Sequence, residues 1–178
     1  MPLAILLCGP AGSGKSTYAR KTFPNFPVLS TDDHINNQAH KLDKAYSEIF
    51  DQEYPIAEEK YFRDIEGIQK YSGDFVLDRT HLTEQSRKKI LRRIDPKYTK
   101  MAVFFPAYTP DILHERINAR AANGGHFVAR QYTDKMHHDY KLPQETEGFD
   151  FVVSSSYLEK ILKYFNWREH GFKLPSHC

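Results

Sequence analysis

The chain is poor in cysteine: Cys8 and Cys178 are the only two in 178 residues. One lies inside an apolar run and the other is the last residue, which excludes a disulfide framework and a Cys-x-x-Cys metal site. A reduced, intracellular and cytoplasmic setting is the expectation. Long apolar runs are lacking as well. The run Leu3-Ala4-Ile5-Leu6-Leu7-Cys8 is far short of the ~20 residues of a membrane span, has no basic region before it and no small-residue cleavage site after it. No membrane partner is expected. Charge of either sign is not in excess, 25 Lys and Arg against 23 Asp and Glu for a net +2 and a pI near 8.4, which rules out a global polycation while leaving room for a basic groove on one face. Nine histidines make neither an HExxH motif nor a Cys/His cluster, so no structural zinc is expected. No repeat, low-complexity tract or long Pro/Gly/Ser linker interrupts the chain, and its length suits one domain with a proper core.

What the sequence does have is a loop. Gly9-Pro10-Ala11-Gly12-Ser13-Gly14-Lys15-Ser16-Thr17 follows the apolar run directly and fits GxxxxGK[ST] at every fixed position. A polyphosphate needs that arrangement. A buried strand delivers the chain, Gly9, Gly12 and Gly14 let the backbone curl with its N–H groups inward, and a helix then begins. In this reading Lys15 reaches the β and γ phosphates and the Ser16 hydroxyl ligates Mg²⁺, with ATP favoured over GTP because no NKxD motif is present. The loop does not choose an acceptor.

Apolar runs alternate with helical patterns throughout, the mark of a parallel α/β sheet covered on both faces. The pattern predicts strands near 3–8, 27–30, 74–78, 99–105 and 149–153, and helices near 15–22, 43–71 (one or two), 83–93, 110–122, 130–141 and 156–166. Residues 1–166 read as a single P-loop domain of the kinase fold, 167–178 as an irregular tail. The Gly-rich crossing Asn123-Gly124-Gly125-His126 between arginine-bearing helices reads as the hinge of a helical lid spanning about 116–131.

Acidic groups at strand ends supply a second site. Leu29-Ser30-Thr31-Asp32-Asp33 ends the second strand at the rim where open α/β sheets bind ligands. Asp32 is expected to be the base that takes the proton of an attacking hydroxyl, and Asp33 a cap or support for the helix that follows. Asp78, ending the apolar run Asp74-Phe75-Val76-Leu77-Asp78, has the form of a Walker B acid that holds Mg²⁺ or its waters, with Arg79-Thr80-His81 extending over the same rim. Arg116 and Arg120, four apart beside the lid crossing, suit a charge that spreads over a transferring phosphoryl group. Arg87, Lys88, Lys89, Arg92 and Arg93 are expected to be a solvated helix surface.

Together the loop, the Ser30-Thr31-Asp32-Asp33 segment, the Asp78-Arg79-Thr80-His81-Leu82 run and the arginine helix followed by Val128 and Met136 resemble the polynucleotide 5′-hydroxyl kinase family over about residues 1–153. The resemblance implies ATP and Mg²⁺ at Lys15 and Ser16, Asp32 as general base for a 5′-OH of DNA or RNA, Asp78 arranging the acceptor, and Arg116 and Arg120 meeting ATP. Phage-type members carry an arginine three residues after the catalytic acid to grip an acceptor phosphate. Here that position is Ile35, so Arg79, His34 or Lys41 would have to substitute. Any ligase or phosphatase partner in repair would be a separate protein. The rival expectations are a small-molecule kinase of the same fold, acting on a nucleoside, sugar acid or antibiotic hydroxyl, and an ATP-binding module with little catalysis.

Overall fold

A computed structural model describes residues 1–164. Five strands, β1 (Leu3–Cys8), β2 (Val28–Leu29), β3 (Phe75–Asp78), β4 (Thr99–Phe104) and β5 (Phe151–Ser154), form one parallel sheet in the order β2-β3-β1-β4-β5. The connecting helices are α1 (Lys15–Thr22), α2 (Thr31–Leu42), α3 (Tyr46–Ile68), α4 (Glu84–Leu91), α5 (Pro110–Ala122), α6 (Arg130–Asp139) and α7 (Ser155–Tyr164). The expected tail 167–178, with Cys178, lies outside the described residues.

Why β1 is central follows from its side chains. All six are buried, and because successive residues point to opposite faces, Ala4, Leu6 and Cys8 enter one core with Tyr61, Ile65, Ile90 and Tyr98 while Leu3, Ile5 and Leu7 enter the other with Tyr18, Phe23 and Leu158. A third cluster, Ile35, Ala39, Ile49 and Ala57, seals α2 against α3. Ile35 is wholly buried there and serves the packing of the two helices. Cys8, pushed up to about 12 by burial, is an inert core thiol.

Three expectations are corrected. The segment 31–42 is a helix that periodicity did not reveal, because its apolar positions are few and its polar residues run together. Asp33 does not cap it. The Ser30 hydroxyl accepts from the Asp32 backbone N–H at 3.1 Å, leaving both acids in the first turn, where the helix dipole favours negative charge. Nor is the basic helix wholly solvated. Arg87 is completely buried, forks onto Glu147 (2.6 and 2.7 Å) and lies with Nη1 at 3.0, 3.2 and 2.8 Å from the carbonyls of His81, Leu82 and Lys141, so it joins α4 both to the turn before it and to the segment after α6. Charge spacing alone could not show that one member of the run turns inward. Lys88, Lys89 and Arg93 do remain at the surface, paired with Glu84, Glu58 and Glu66.

His81 is the other buried polar tie. Its backbone takes a left-handed φ of 42°, and since the Leu7 carbonyl 2.9 Å from Nδ1 can only accept, Nδ1 carries the hydrogen and Nε2 faces the Tyr61 hydroxyl at 3.4 Å. Burial, helped by the neighbouring cations Arg79, Lys15 and Arg87, lowers the imidazole to about 3. The folded state therefore refuses a proton that the unfolded chain accepts below about 6.5. This contribution is intact above pH 6.5 and is lost as pH falls toward 3, by up to about 1.4 kcal/mol per pH unit. His81→Asn, which tolerates the left-handed backbone, is expected to be less stable than wild type at pH 7, with the difference shrinking between pH 6.5 and 4. Urea unfolding at each pH measures it, and a constant difference would contradict the assignment.

Candidate active site

The P-loop leaves β1 and curls at the carboxyl edge of the sheet. Gly9 N–H donates to the Thr80 carbonyl at 2.9 Å, tying the loop to the chain beyond β3. Gly12 has φ +80°, and a Cβ there would stand 2.8 Å from the Leu113 carbonyl oxygen, so the loop passes α5 too closely for any side chain. Gly14, also left-handed at φ 97°, is the N-cap of α1 and faces open space. Ser13 Oγ is buried without a hydrogen-bond partner, an orphan polar atom inside the cradle.

Register decides what faces the loop. Leu7 of β1 pairs with Asp78 of β3, so the Asp78 carboxylate emerges beside the loop's entry. Asp78 and Lys15 are each about 8% exposed and attract one another; Lys15 Nζ donates to the Pro10 carbonyl at 2.8 Å, and the Ser16 side chain lies near enough to the Asp78 carboxylate to favour its charged form. Even so, burial lowers the Lys15 ammonium and raises the Asp78 carboxyl. Desolvation outweighs the pair's own attraction, a deficit that a polyanion and a cation together would relieve.

Asp32, at the start of α2, joins this group. It interacts electrostatically with Lys15, Asp78 and Arg120. Its Oδ1 accepts from the Tyr46 hydroxyl at 2.9 Å, and its Oδ2 lies 3.8 Å from His126 Nε2. Asp33, nearer solvent, is raised by burial and by Asp32. Arg120 on α5 donates Nε and Nη2 to the His126 carbonyl at 3.1 and 2.8 Å and is lowered from its ordinary value by burial.

Lys15, Asp32, Asp78 and Arg120 are thus brought together, with Ser16 beside Asp78. Arg116 is exposed, and its guanidinium lies over the Tyr108 ring at 4.1 Å. Thr17 is exposed on α1. Arg79 stays near the rim but is engaged: both its terminal nitrogens donate to Glu58 Oε1, at 3.2 and 3.1 Å, one of them also meets the Tyr54 hydroxyl, and the guanidinium sits over the Tyr61 ring at 5.1 Å. Arg130 pairs with Asp111 at the start of α5. Sequence reasoning missed Tyr46 and gave His126 no chemistry. The available signal for Tyr46 was the spacing of Tyr46, Phe50 and Tyr54, a stripe at helical period whose rings stand 5.5 and 5.3 Å apart in succession.

The comparisons with known proteins fit this geometry. A family model described as an AAA domain matches residues 5–143. The chain belongs to that family. Among solved structures it is similar to a candidate kinase from Chloroflexus aurantiacus J-10-fl (18% identity, TM-score 0.71, covering 97% of this chain and 99% of that one). It is also similar to a fungal RNA kinase (11%, 0.56, 98% and 92%) and to a gluconokinase from Sinorhizobium meliloti 1021 (16%, 0.54, 92% and 97%). A search of curated proteins returns no match. The fold is that of P-loop kinases, the family implies binding of a nucleotide such as ATP, and among the described residues no helix is long and apolar enough to cross a membrane.

The loop's electrostatic part can be isolated at Lys15. Lys15→Met keeps most of the buried stem and removes the charge, so turnover is expected to fall by about 10²–10³, the usual cost of deleting a donor at developing phosphoryl charge, with cooperative unfolding retained. A variant keeping more than about a tenth of wild-type turnover would contradict the assignment.

Proposed function

We propose that the protein transfers the γ-phosphoryl group of ATP to an alcohol, the 5′-hydroxyl of a polynucleotide being the acceptor. The observation that carries the first half is the meeting of Asp32 with Lys15, Asp78 and Arg120 at the mouth of the loop. A carboxylate half open to solvent can take the proton of an incoming hydroxyl, while the buried ammonium and the guanidinium face the charge that develops on the phosphoryl oxygens.

The donor set fits the expected ligands. The orphan Ser13 hydroxyl and the loop N–H groups suit phosphate oxygens, and the hard oxygens of Ser16 and Asp78 suit Mg²⁺. When bound, Mg²⁺ would supply charge neutralisation between the phosphates. Arg120, Lys15 and the loop orient the donor; Asp32 orients and deprotonates the acceptor; Tyr46 holds the Asp32 carboxylate in place.

Support for a polynucleotide comes from the Asp-Asp and Asp-Arg-Thr-His motifs and from similarity to a fungal RNA kinase. A small-molecule acceptor is the second reading, and specific observations favour it. Arg79 is already neutralised by Glu58, Ile35 is buried, and a gluconokinase and a deoxyadenosine kinase are also structural neighbours.

A polynucleotide kinase must hold phosphates 3′ of the attacking hydroxyl. Acceptor KM is therefore expected to fall from nucleoside to 3′-mononucleotide to short oligomer and to rise with added salt as counterions compete. Steady-state kinetics over a salt series measure both trends. Equal efficiency for nucleosides and oligomers at every salt concentration would replace this acceptor with a small molecule.

A further inference from the structure

Beside Asp32 stands a ring face that the reading above leaves unused. Tyr46 is fixed on both sides: its hydroxyl donates to Asp32 Oδ1 at 2.9 Å, and its ring leans on Phe50 at 5.5 Å and packs against the Ile35, Ala39, Ile49 and Ala57 cluster. What covers it is the imidazole of His126, nearly parallel to it at 4.4 Å and 19°, with Nε2 only 3.8 Å from the other Asp32 oxygen. A planar nitrogen heterocycle thus occupies the space next to the expected base.

That heterocycle sits on a glycine-rich crossing. His126 follows Gly124, at φ +81°, and Gly125, whose Cβ would strike Arg120 Cγ at 2.5 Å, so the crossing between α5 and α6 folds closely over the Arg120 side chain. Beyond α6 the chain is anchored, the Tyr140 hydroxyl sharing its one hydrogen between the carbonyls of Cys8 and Phe105 at 2.9 and 3.0 Å. The His126 carbonyl is held only by Arg120 Nε and Nη2. Those are the same donors that a phosphoryl oxygen would need, and one N–H cannot serve both well. Burial, with Arg120 nearby, lowers the imidazole from its ordinary value, so at neutral pH it stacks as an uncharged ring.

We propose that the face of Tyr46 covered by His126 is a subsite for a planar heterocyclic ring of the acceptor, and that His126 fills it until Arg120 turns to the nucleotide. This rests on the reading of Asp32 as the group that meets the acceptor hydroxyl. It adds a specificity element, a preference for acceptors bearing a base over polyols, and an order, nucleotide before acceptor. An occluded subsite weakens apparent affinity by the fraction of time it is open, so removal of His126 should help acceptor binding where removal of a catalytic or structural group would harm it.

The test uses 2-aminopurine riboside 3′-phosphate, whose fluorescence is quenched by stacking, with the intact protein and Mg²⁺, with and without a non-hydrolysable ATP analogue. Wild type is expected to bind the probe several-fold more tightly once the analogue is present. His126→Ala should bind it more tightly without the analogue and show a smaller analogue effect. Tyr46→Leu should weaken binding by roughly 5- to 150-fold, the range for losing one base–aromatic stack, and abolish the quench, while Tyr46→Phe, which keeps the ring, should bind within about threefold of wild type. Thermal melting of each variant accompanies the titrations. Weaker or unchanged binding by His126→Ala, or equal losses for Tyr46→Leu and Tyr46→Phe, would overturn the proposal, as would an absence of probe binding by wild type with the analogue present. The polynucleotide reading fails separately: the unphosphorylated riboside binding as tightly as its 3′-phosphate at all salt concentrations would leave the ring subsite standing and remove the phosphate contacts.

Discussion

The opposed charges of Lys15 and Asp78, drawn out of water together at the carboxyl edge of the sheet, set the terms for everything around them. Each is there because β1 and β3 pair in parallel with Leu7 opposite Asp78, and because the loop after β1 turns back over that edge. Their attraction does not cover the desolvation of both, since the ammonium is lowered and the carboxyl raised. A site left in that condition favours ligands that bring the missing charge, and a magnesium polyphosphate brings both signs. Gly12 pressed against α5, Ser13 with a buried free hydroxyl, and Ser16 beside Asp78 are parts of the same arrangement.

Around this centre stands a second tier of side chains carried by helices. Asp32 is carried by a short helix that Ile35 and Ala39 seal against α3, so the carboxylate is well placed but half open. Arg120 reaches it from α5 and His126 from the crossing between α5 and α6, while the chain beyond α6 is tied down by Tyr140 and by the Arg87–Glu147 fork. The loop-edge centre is thus held by strand register, and the groups around Asp32 by side-chain contacts between helices. That division suits phosphoryl transfer, in which positioning and charge stabilisation carry most of the catalysis.

How much of this was legible from the residues follows from which forces act locally. The loop, β1 and α1 depend on short-range chemistry, glycine backbone freedom and a continuous apolar run, and they lie where the pattern put them, as does α5 with Pro110 in its first turn. The remaining strands agree within about two residues at each end. Helix α2 escaped because its stability comes from packing on α3 rather than from its own periodicity. Arg87 escaped for a related reason, since its partner Glu147 is distant in sequence and no local feature separates it from Lys88 and Lys89. At the site, Asp32, Asp78 and Arg120 stand out in the sequence by their places at strand ends and beside the glycine-rich crossing, and the fold sets them near one another. The Tyr46–His126 stack joins two segments 80 residues apart and needed the fold.

The central claim is that Asp32 acts on the acceptor while the loop, Lys15 and Arg120 act on the donor. It is tested most directly by Asp32→Asn, with MgATP affinity from calorimetry and transfer of label from γ-labelled ATP to a 5′-hydroxyl oligonucleotide measured on the same preparation. The amide keeps the carboxylate's shape and its contact with the Tyr46 hydroxyl but cannot accept the acceptor's proton. The account predicts MgATP affinity within a few-fold of wild type and transfer reduced by about 10²–10⁴. Transfer within tenfold of wild type, or loss of nucleotide binding in step with loss of transfer, would contradict it.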